Sequence, residues 1–365
     1  MTEKYGAPNP LILLLSSPRA GSHLLERLLL ERYGIAFPLL THLVPHFDSF
    51  KWLWGDLSSP SNRRKLLNAI YRYEALRVKV YSLTGIDNDA ALMSSLLCTR
   101  PFSEDIVAAS FDFSSLVSEA HQKFASIHQG VRWGYNPGFY ACPDMDRLPG
   151  IFDEARVIHV VRDGRDVTLS WTGVYYGPNN LAEGARIWRG HVCGYAAWGM
   201  ANPERYHQVR YEDILDNPDR ELDRIEAFLG IKPQSNPIDA SDSPLVRASS
   251  STGTHKLVGM PVQKNNKEKW RKKFSGREVA LFDRLAGDAL KQFGYPSEHA
   301  PLRGMDKVWA TFSPIFGRFV GIVSPVQISK ITRAFLPLFF FVFGRFFTIP
   351  EVSLPPETDR PAAPS

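Results

Sequence analysis

The chain has 365 residues, enough for one large domain or two ordinary ones. Its residues are 44% hydrophobic and 22% charged, which excludes bulk disorder. Lys and Arg number 43 against 38 Asp and Glu, a formal charge of +5. That mild excess suits an anionic ligand or a membrane surface, and no nucleic acid partner is expected. The three cysteines, Cys98, Cys142 and Cys193, are far apart and form no CxxC pair, so neither a disulfide framework nor a zinc site is expected. The polar start and the short apolar run Leu11–Leu15 do not make a signal-peptide core, and a cytoplasmic location is expected.

Along the chain, Leu11–Leu15 reads as a strand buried on both faces of a parallel sheet. The loop Ser16-Ser17-Pro18-Arg19-Ala20-Gly21-Ser22 follows, then a helix carrying Leu24, Leu25, Leu28 and Leu29. Ser61–Leu76 and Ser103–His128 look like helical insertions. Val157–Val161 is a second buried strand, and Arg162-Asp163-Gly164-Arg165-Asp166 opens a helix through Ser170. Arg205–Arg210 is a third strand, before Tyr211-Glu212-Asp213. Alternating strands and helices predict an α/β fold, a central parallel sheet flanked by helices.

The strand, glycine loop and helix N-terminus form a phosphate-binding device. The helix end supplies free N–H groups, Gly21 allows close approach, and Arg19 supplies a forked cation. Ser22 adds a hydroxyl. The same residues also suit an ordinary strand-to-helix turn with a surface arginine. The loop lacks the second Gly and the Lys of GxxxxGK[ST], which argues against a nucleoside triphosphatase. Arg162 and Ser170 are eight apart and meet one ligand only if the strand–helix corner folds back. Together they suit one phosphate.

These loops together resemble the PAPS-dependent sulfotransferase family (PAPS is 3′-phosphoadenosine 5′-phosphosulfate), in its bacterial type. Pro18–Ser22 is similar to the family's 5′-phosphosulfate loop, and Val157–Val167 to its 3′-phosphate motif, with Arg162 and Ser170 in the ligand positions. Val209–Ile214 resembles a segment whose tyrosine lies near adenine, here Tyr211. Asn265–Arg271, Phe282–Asp288 and Phe293–Tyr295 resemble the closing segment of bacterial members. The likeness runs from about Leu11 to Tyr295, with four motifs in the family's order.

The resemblance implies a P-loop-like sulfotransferase fold and transfer of a sulfonate group from PAPS to a hydroxyl or amine, releasing PAP. It implies that Ser17, Pro18, Arg19, Ala20, Gly21, Ser22 and His23 hold the 5′ end, with Arg19 stabilising the leaving oxygen. Arg162 and Ser170 would hold the 3′-phosphate, and Lys269, Trp270 and Arg271 would close over the nucleotide. No metal is required, because arginines supply the positive charge, and no metal-ligand cluster is apparent. The family's usual base is absent: the stretch before the 3′-phosphate strand reads Trp133-Gly134-Tyr135-Asn136-Pro137-Gly138. His42 is the preferred candidate, ahead of His46, since histidine exchanges protons near neutrality. His23 stands where members usually have Ser or Thr, and Leu24 where cytosolic animal members have Trp.

Lys307–Ile349 carries five basic residues, no acidic one and ten of the 23 phenylalanines. Its uncharged runs fall short of the ~18 residues that span a bilayer. The division expected is a sulfotransferase domain over 1–304, a helical hydrophobic extension over 305–349 in peripheral membrane contact, and a disordered tail over 350–365. The acceptor is then a small molecule or a lipid. Two other functions fit parts of the pattern: a nucleotide-dependent kinase, and a non-catalytic, membrane-attached binding protein on a decayed scaffold.

Overall fold

The computed structural model describes residues 11–39, 47–83, 86–137, 154–174, 177–240, 243–251 and 256–297, with 304, 308, 312, 336–343, 349 and 352. Five strands form one sheet: β1 (Ile12–Ser16), β2 (Ile35–Ala36), β3 (Arg132–Tyr135), β4 (Arg156–Val161) and β5 (Tyr206–Arg210). Their order is β2-β3-β1-β4-β5 and every pairing is parallel. After β1 comes α1 (Ser22–Tyr33). Between β2 and β3 lie α2 (Pro60–Leu83), α3 (Asn88–Met93), α4 (Ser103–Ala109) and α5 (Phe113–Ile127). Between β4 and β5 lie α6 (Gly164–Thr172) and α7 (Leu181–Ala201). After β5 come α8 (Tyr211–Asp216), α9 (Pro218–Leu229), α10 (Pro244–Ser251), α11 (Trp270–Lys273), α12 (Gly276–Gln292) and α13 (Leu336–Phe343).

The continuous apolar run of β1 is buried on both faces, as a parallel strand requires. Ile12 and Leu14 pack with Leu24, Leu25, Leu28 and Leu29 of α1. Leu13 and Leu15 face the opposite way, into the core built with α2 and α5. β4 shares the pattern, with Ile158 and Val160 on the α1 side and Val157 on the other.

The insertion over Ser103–His128 is helical, as expected, and is made of two helices. Asp112 ends the run: its carboxylate accepts from the N–H of Ser115 at 2.8 Å, while the Ser115 hydroxyl accepts from the N–H of Asp112 at 3.0 Å. That reciprocal cap starts a new helix in place of continuing the old one.

Strand order decides where a ligand goes. From β1 the chain leaves towards β2 and β3; from β4 it leaves towards β5, on the other side. β1 and β4 are neighbours, so the crevice at their C-terminal ends is the switch point of the sheet, where open α/β folds bind ligands.

The described part of the C-terminal extension packs on the domain. Phe340 is buried edge-on against Tyr73, Phe341 meets Trp54, and Arg100 donates to the carbonyl of Ile349 at 3.2 Å. Five apolar residues of α13, Leu338, Phe339, Phe341, Val342 and Phe343, stay 40–48% exposed. Among the described residues no helix is long and apolar enough to cross a membrane. Most of 305–365 lies outside the described residues.

His159 sits fully buried in β4, bonded through Nδ1 to the Tyr206 hydroxyl at 2.6 Å. Burial, aided by His191, pushes its pKa down to about 3. In the unfolded chain the ring takes a proton near pH 6.5. Its contribution to stability is therefore complete above that pH and declines as pH falls towards 3. His159→Gln removes this dependence. Between about pH 7.5 and pH 5 the variant loses about 2 kcal/mol less stability than wild type, read from urea unfolding at the two pH values.

Candidate functional site

The loop after β1 turns sharply. The N–H of Ala20 bonds the carbonyl of Ser17 at 3.1 Å, and the N–H of Leu24 bonds that of Gly21 at 3.1 Å. Gly21 begins α1 in a left-handed conformation, φ 98°, and no side chain caps the helix. Arg19 is also left-handed, φ 68°, which is rare for a residue with a Cβ and marks a loop held by its surroundings. The first N–H groups of α1 and the positive end of its dipole thus open into the crevice.

The register Ser16↔Val160 brings the ends of β1 and β4 level, so Arg162 emerges beside Arg19. Its guanidinium donates to the carbonyl of Arg19 at 3.2 Å and to that of Asn266 at 3.0 Å. It pairs with Asp166 at 3.5 Å and lies 4.5 Å from the centre of the Tyr211 ring. Its buried Nε has no hydrogen-bond partner among the described residues, nor does the buried Ser17 hydroxyl. Ser170, two turns along α6, accepts from Nε of Arg19 at 3.1 Å. Arg19 therefore touches both residues, Ser170 through its side chain and Arg162 through its backbone carbonyl. Arg19, Arg162 and Ser170 converge, with Arg19 as the link.

The corner is held from below. Asp163 caps α6 and takes two hydrogen bonds from the Arg165 side chain, at 2.9 and 2.8 Å. Arg165 is fully buried with its charge 3.8 Å from the Trp270 ring centre. Asp166 accepts from the N–H of Trp270 at 3.0 Å, and the indole N–H of Trp188 donates to the carbonyl of Arg162 at 3.1 Å. Burial holds the Asp166 carboxyl above the usual carboxylate range, against the pull of Arg162.

Tyr211 sits between the Arg19 loop and Arg162. Its ring faces Gly21 so closely that a Cβ there would stand 2.2 Å from it. Its hydroxyl accepts from the Asn266 amide at 2.7 Å.

The expected closing residues fall out differently. Trp270 is buried between the guanidinium groups of Arg165 and Arg271, so it anchors its segment in place of covering the nucleotide. Lys269 and Arg271 are exposed, and Arg271 pairs with Glu268 at 3.1 Å. Asn266, not singled out from the sequence, makes the contacts with Arg162 and Tyr211. A polar residue four positions before an anchoring tryptophan is too weak a signal to find alone. His23 begins α1 with its ring bonded to Glu26 at 2.7 Å. His42 and His46 lie outside the described residues.

Residues 10–235, more than half of the chain, match the sequence profile of the Sulfotransferase family. The chain belongs to the sulfotransferase family. It is 24% identical over 338 residues to carbohydrate sulfotransferase 1 of Mus musculus, covering 78% of this chain and 79% of that protein. The Danio rerio carbohydrate sulfotransferase 1 is 22% identical over 342 residues, covering 80% and 79%. Among solved structures, the sulfotransferase domain of the Synechococcus PCC 7002 olefin synthase superposes with a TM-score of 0.51 at 20% identity, over 81% of this chain and 98% of that one. That likeness confirms the P-loop-like sulfotransferase fold. Within it, the Arg19 loop and the Arg162 corner lie side by side at the ends of β1 and β4.

Gly21→Ala forces a side chain into the Tyr211 ring at a backbone angle that suits only glycine. A loss of about 1–3 kcal/mol in urea unfolding is expected. Gly190→Ala, in α7 with no atom within 4 Å of the new methyl, is the control; a gain of about 0.5–1 kcal/mol is expected there.

Proposed function

We propose that this sulfotransferase moves a sulfonate group from PAPS to a hydroxyl by in-line displacement, releasing PAP. One observation carries the reading: Arg19, Arg162 and Ser170, drawn from two separate loops, converge at the switch point of the sheet. Two linked anion positions suit a nucleotide with phosphate at both its 3′ and 5′ ends. A nucleoside triphosphate has no use for the second. The unpartnered Nε of Arg162 and hydroxyl of Ser17, and the bare backbone at Gly21, suit phosphate oxygens.

PAPS supplies an activated sulfonate. The N–H groups of Gly21, Ser22 and His23 bind the 5′ end, and Arg162 with Ser170 binds the 3′-phosphate. Arg19 neutralises the charge that grows on the leaving oxygen, held for that purpose by Ser170. Tyr211 and Asn266 keep the two loops at fixed spacing, so no reorganisation is needed during transfer. The mouse and zebrafish relatives are named for carbohydrate acceptors, which supports a hydroxyl over an amine. The exposed apolar face of α13 supports peripheral contact with a lipid surface, which would favour an acceptor on a hydrophobic carrier. Vesicle co-sedimentation of the full chain should weaken when Leu338, Phe339 and Phe343 become serine. Equal sedimentation would remove the membrane contact.

Isothermal titration with PAP tests the donor. Tight binding by wild type is expected, with a loss of about 1.5–3 kcal/mol, or roughly 10- to 150-fold in Kd, for Arg162→Ala. Ser170→Ala, a smaller change, should weaken binding in the same direction. A folded wild type that binds no PAP sinks the reading and promotes the kinase. Binding without turnover on any acceptor promotes the non-catalytic scaffold.

A further inference from the structure

The side chains proposed to hold the donor, Arg19, Arg162 and Ser170, meet on the β4 flank of the Arg19 loop. On its other flank runs β3, which ends at Tyr135 beside β1. There a second cluster stands. His23 and Glu26, one turn apart on α1, are joined Nδ1 to Oε2 at 2.7 Å, with side chains only 9% and 13% exposed. The other oxygen of Glu26 accepts from the amide of Asn136, itself 2% exposed, just past the end of β3. Leu30, Phe37, Leu39, Val246 and Val258 line the cavity beside the pair.

The chemistry of the set is directional. Glu26 accepts at both oxygens, so Nδ1 of His23 carries the proton in this bond and Nε2 keeps the lone pair. Among the described residues, the other charged groups nearby are Arg27 and Glu31. Arg27 donates to the carbonyls of Val258 and Met260 at 2.7 and 2.6 Å and lies 3.5 Å from Glu31. In-line displacement places the acceptor and the leaving oxygen on opposite sides of sulfur. The arginine clamp takes the β4 flank, which leaves the β3 flank for the acceptor.

We infer that His23 is the acceptor-side general base of this sulfotransferase and that Glu26, locked by Asn136, is the residue that positions it. The inference rests on the sulfonate-transfer reading above. As the acceptor oxygen bonds to sulfur and the bond from sulfur to the nucleotide oxygen breaks, Nε2 takes the acceptor proton. The imidazolium forms beside the Glu26 carboxylate and later gives its proton to solvent, while PAP leaves with the electrons of the broken bond. The base on α1 replaces one missing from the stretch Trp133–Gly138, where Asn136 now serves the histidine.

The test uses the full chain, with water as the acceptor probe. PAPS hydrolysis, PAP affinity and the pH–rate profile are measured for wild type, His23→Ala and Glu26→Gln, with circular dichroism to confirm folding. Wild type should hydrolyse PAPS faster than buffer does. His23→Ala should lose about 100-fold or more in rate while its PAP affinity stays within roughly threefold. Its acid-side limb should vanish, and added imidazole should restore part of the rate. Glu26→Gln should lose less, about tenfold, and keep a displaced acid limb. Unchanged hydrolysis in His23→Ala overturns the inference. So does a joint loss of PAP binding and rate without imidazole rescue, and so does a wild type that binds PAP yet leaves PAPS no less stable than in buffer. Absence of PAP binding by folded wild type removes the donor reading itself.

Discussion

The guanidinium of Arg162 is the point on which the site depends. One buried cation reaches the carbonyl of Arg19 from the first loop, that of Asn266 from the C-terminal segment, the Asp166 carboxylate and the Tyr211 ring. Each partner comes from a different part of the chain. A buried charge is costly unless its hydrogen bonds are met, so the four parts are obliged to meet around it. Its own carbonyl is claimed by Trp188. The geometry of the crevice at the ends of β1 and β4 follows from satisfying this single group.

The sheet makes that meeting cheap in conformational terms. The register of β1 on β4 sets Arg19 beside Arg162, and that of β4 on β5, Val161↔Arg210, sets Arg162 beside Tyr211. The loops need only short excursions. Tyr211 then fills the space that a side chain at Gly21 would take, so a glycine in one loop and an aromatic ring in another are two halves of one contact. Beneath them, the buried Arg165 between Asp163 and Trp270 ties the corner to the closing segment.

The two flanks of the first loop have different chemistry. Arginines and a serine hydroxyl on the β4 side suit an anionic nucleotide. A histidine, a carboxylate and an amide beside an apolar cavity on the β3 side suit a neutral acceptor that must lose a proton. Separating cationic and proton-accepting groups across one helix N-terminus lets each work without neutralising the other. The aromatic face of α13 lies on yet another part of the surface, against α2 and the Trp54 turn.

What could be read from the sequence was local. The apolar runs of β1 and β4 declared buried parallel strands because each covers both faces of a sheet, and Arg19 and Arg162 stood out by their positions just past strand ends. The break at Asp112 was also written locally, in a cap that outcompetes helix continuation, though helical composition on both sides hid it. Strand order was not legible, since β2 and β3 are short and their pairing depends on contacts far apart in the chain. Asn266 and Asn136 owe their roles to the partners that folding brings them, the Tyr211 hydroxyl and the Glu26 carboxylate. Trp270 looked like a lid because aromatic residues cover nucleotides; only the tertiary structure, by burying Arg165 against it, made it an anchor. The Arg19 and Arg162 elements were legible in the sequence because each lies in a contiguous strand–loop–helix unit. The cluster on the β3 flank was decided by folding, because Asn136 reaches the local His23–Glu26 pair only when β3 docks beside β1.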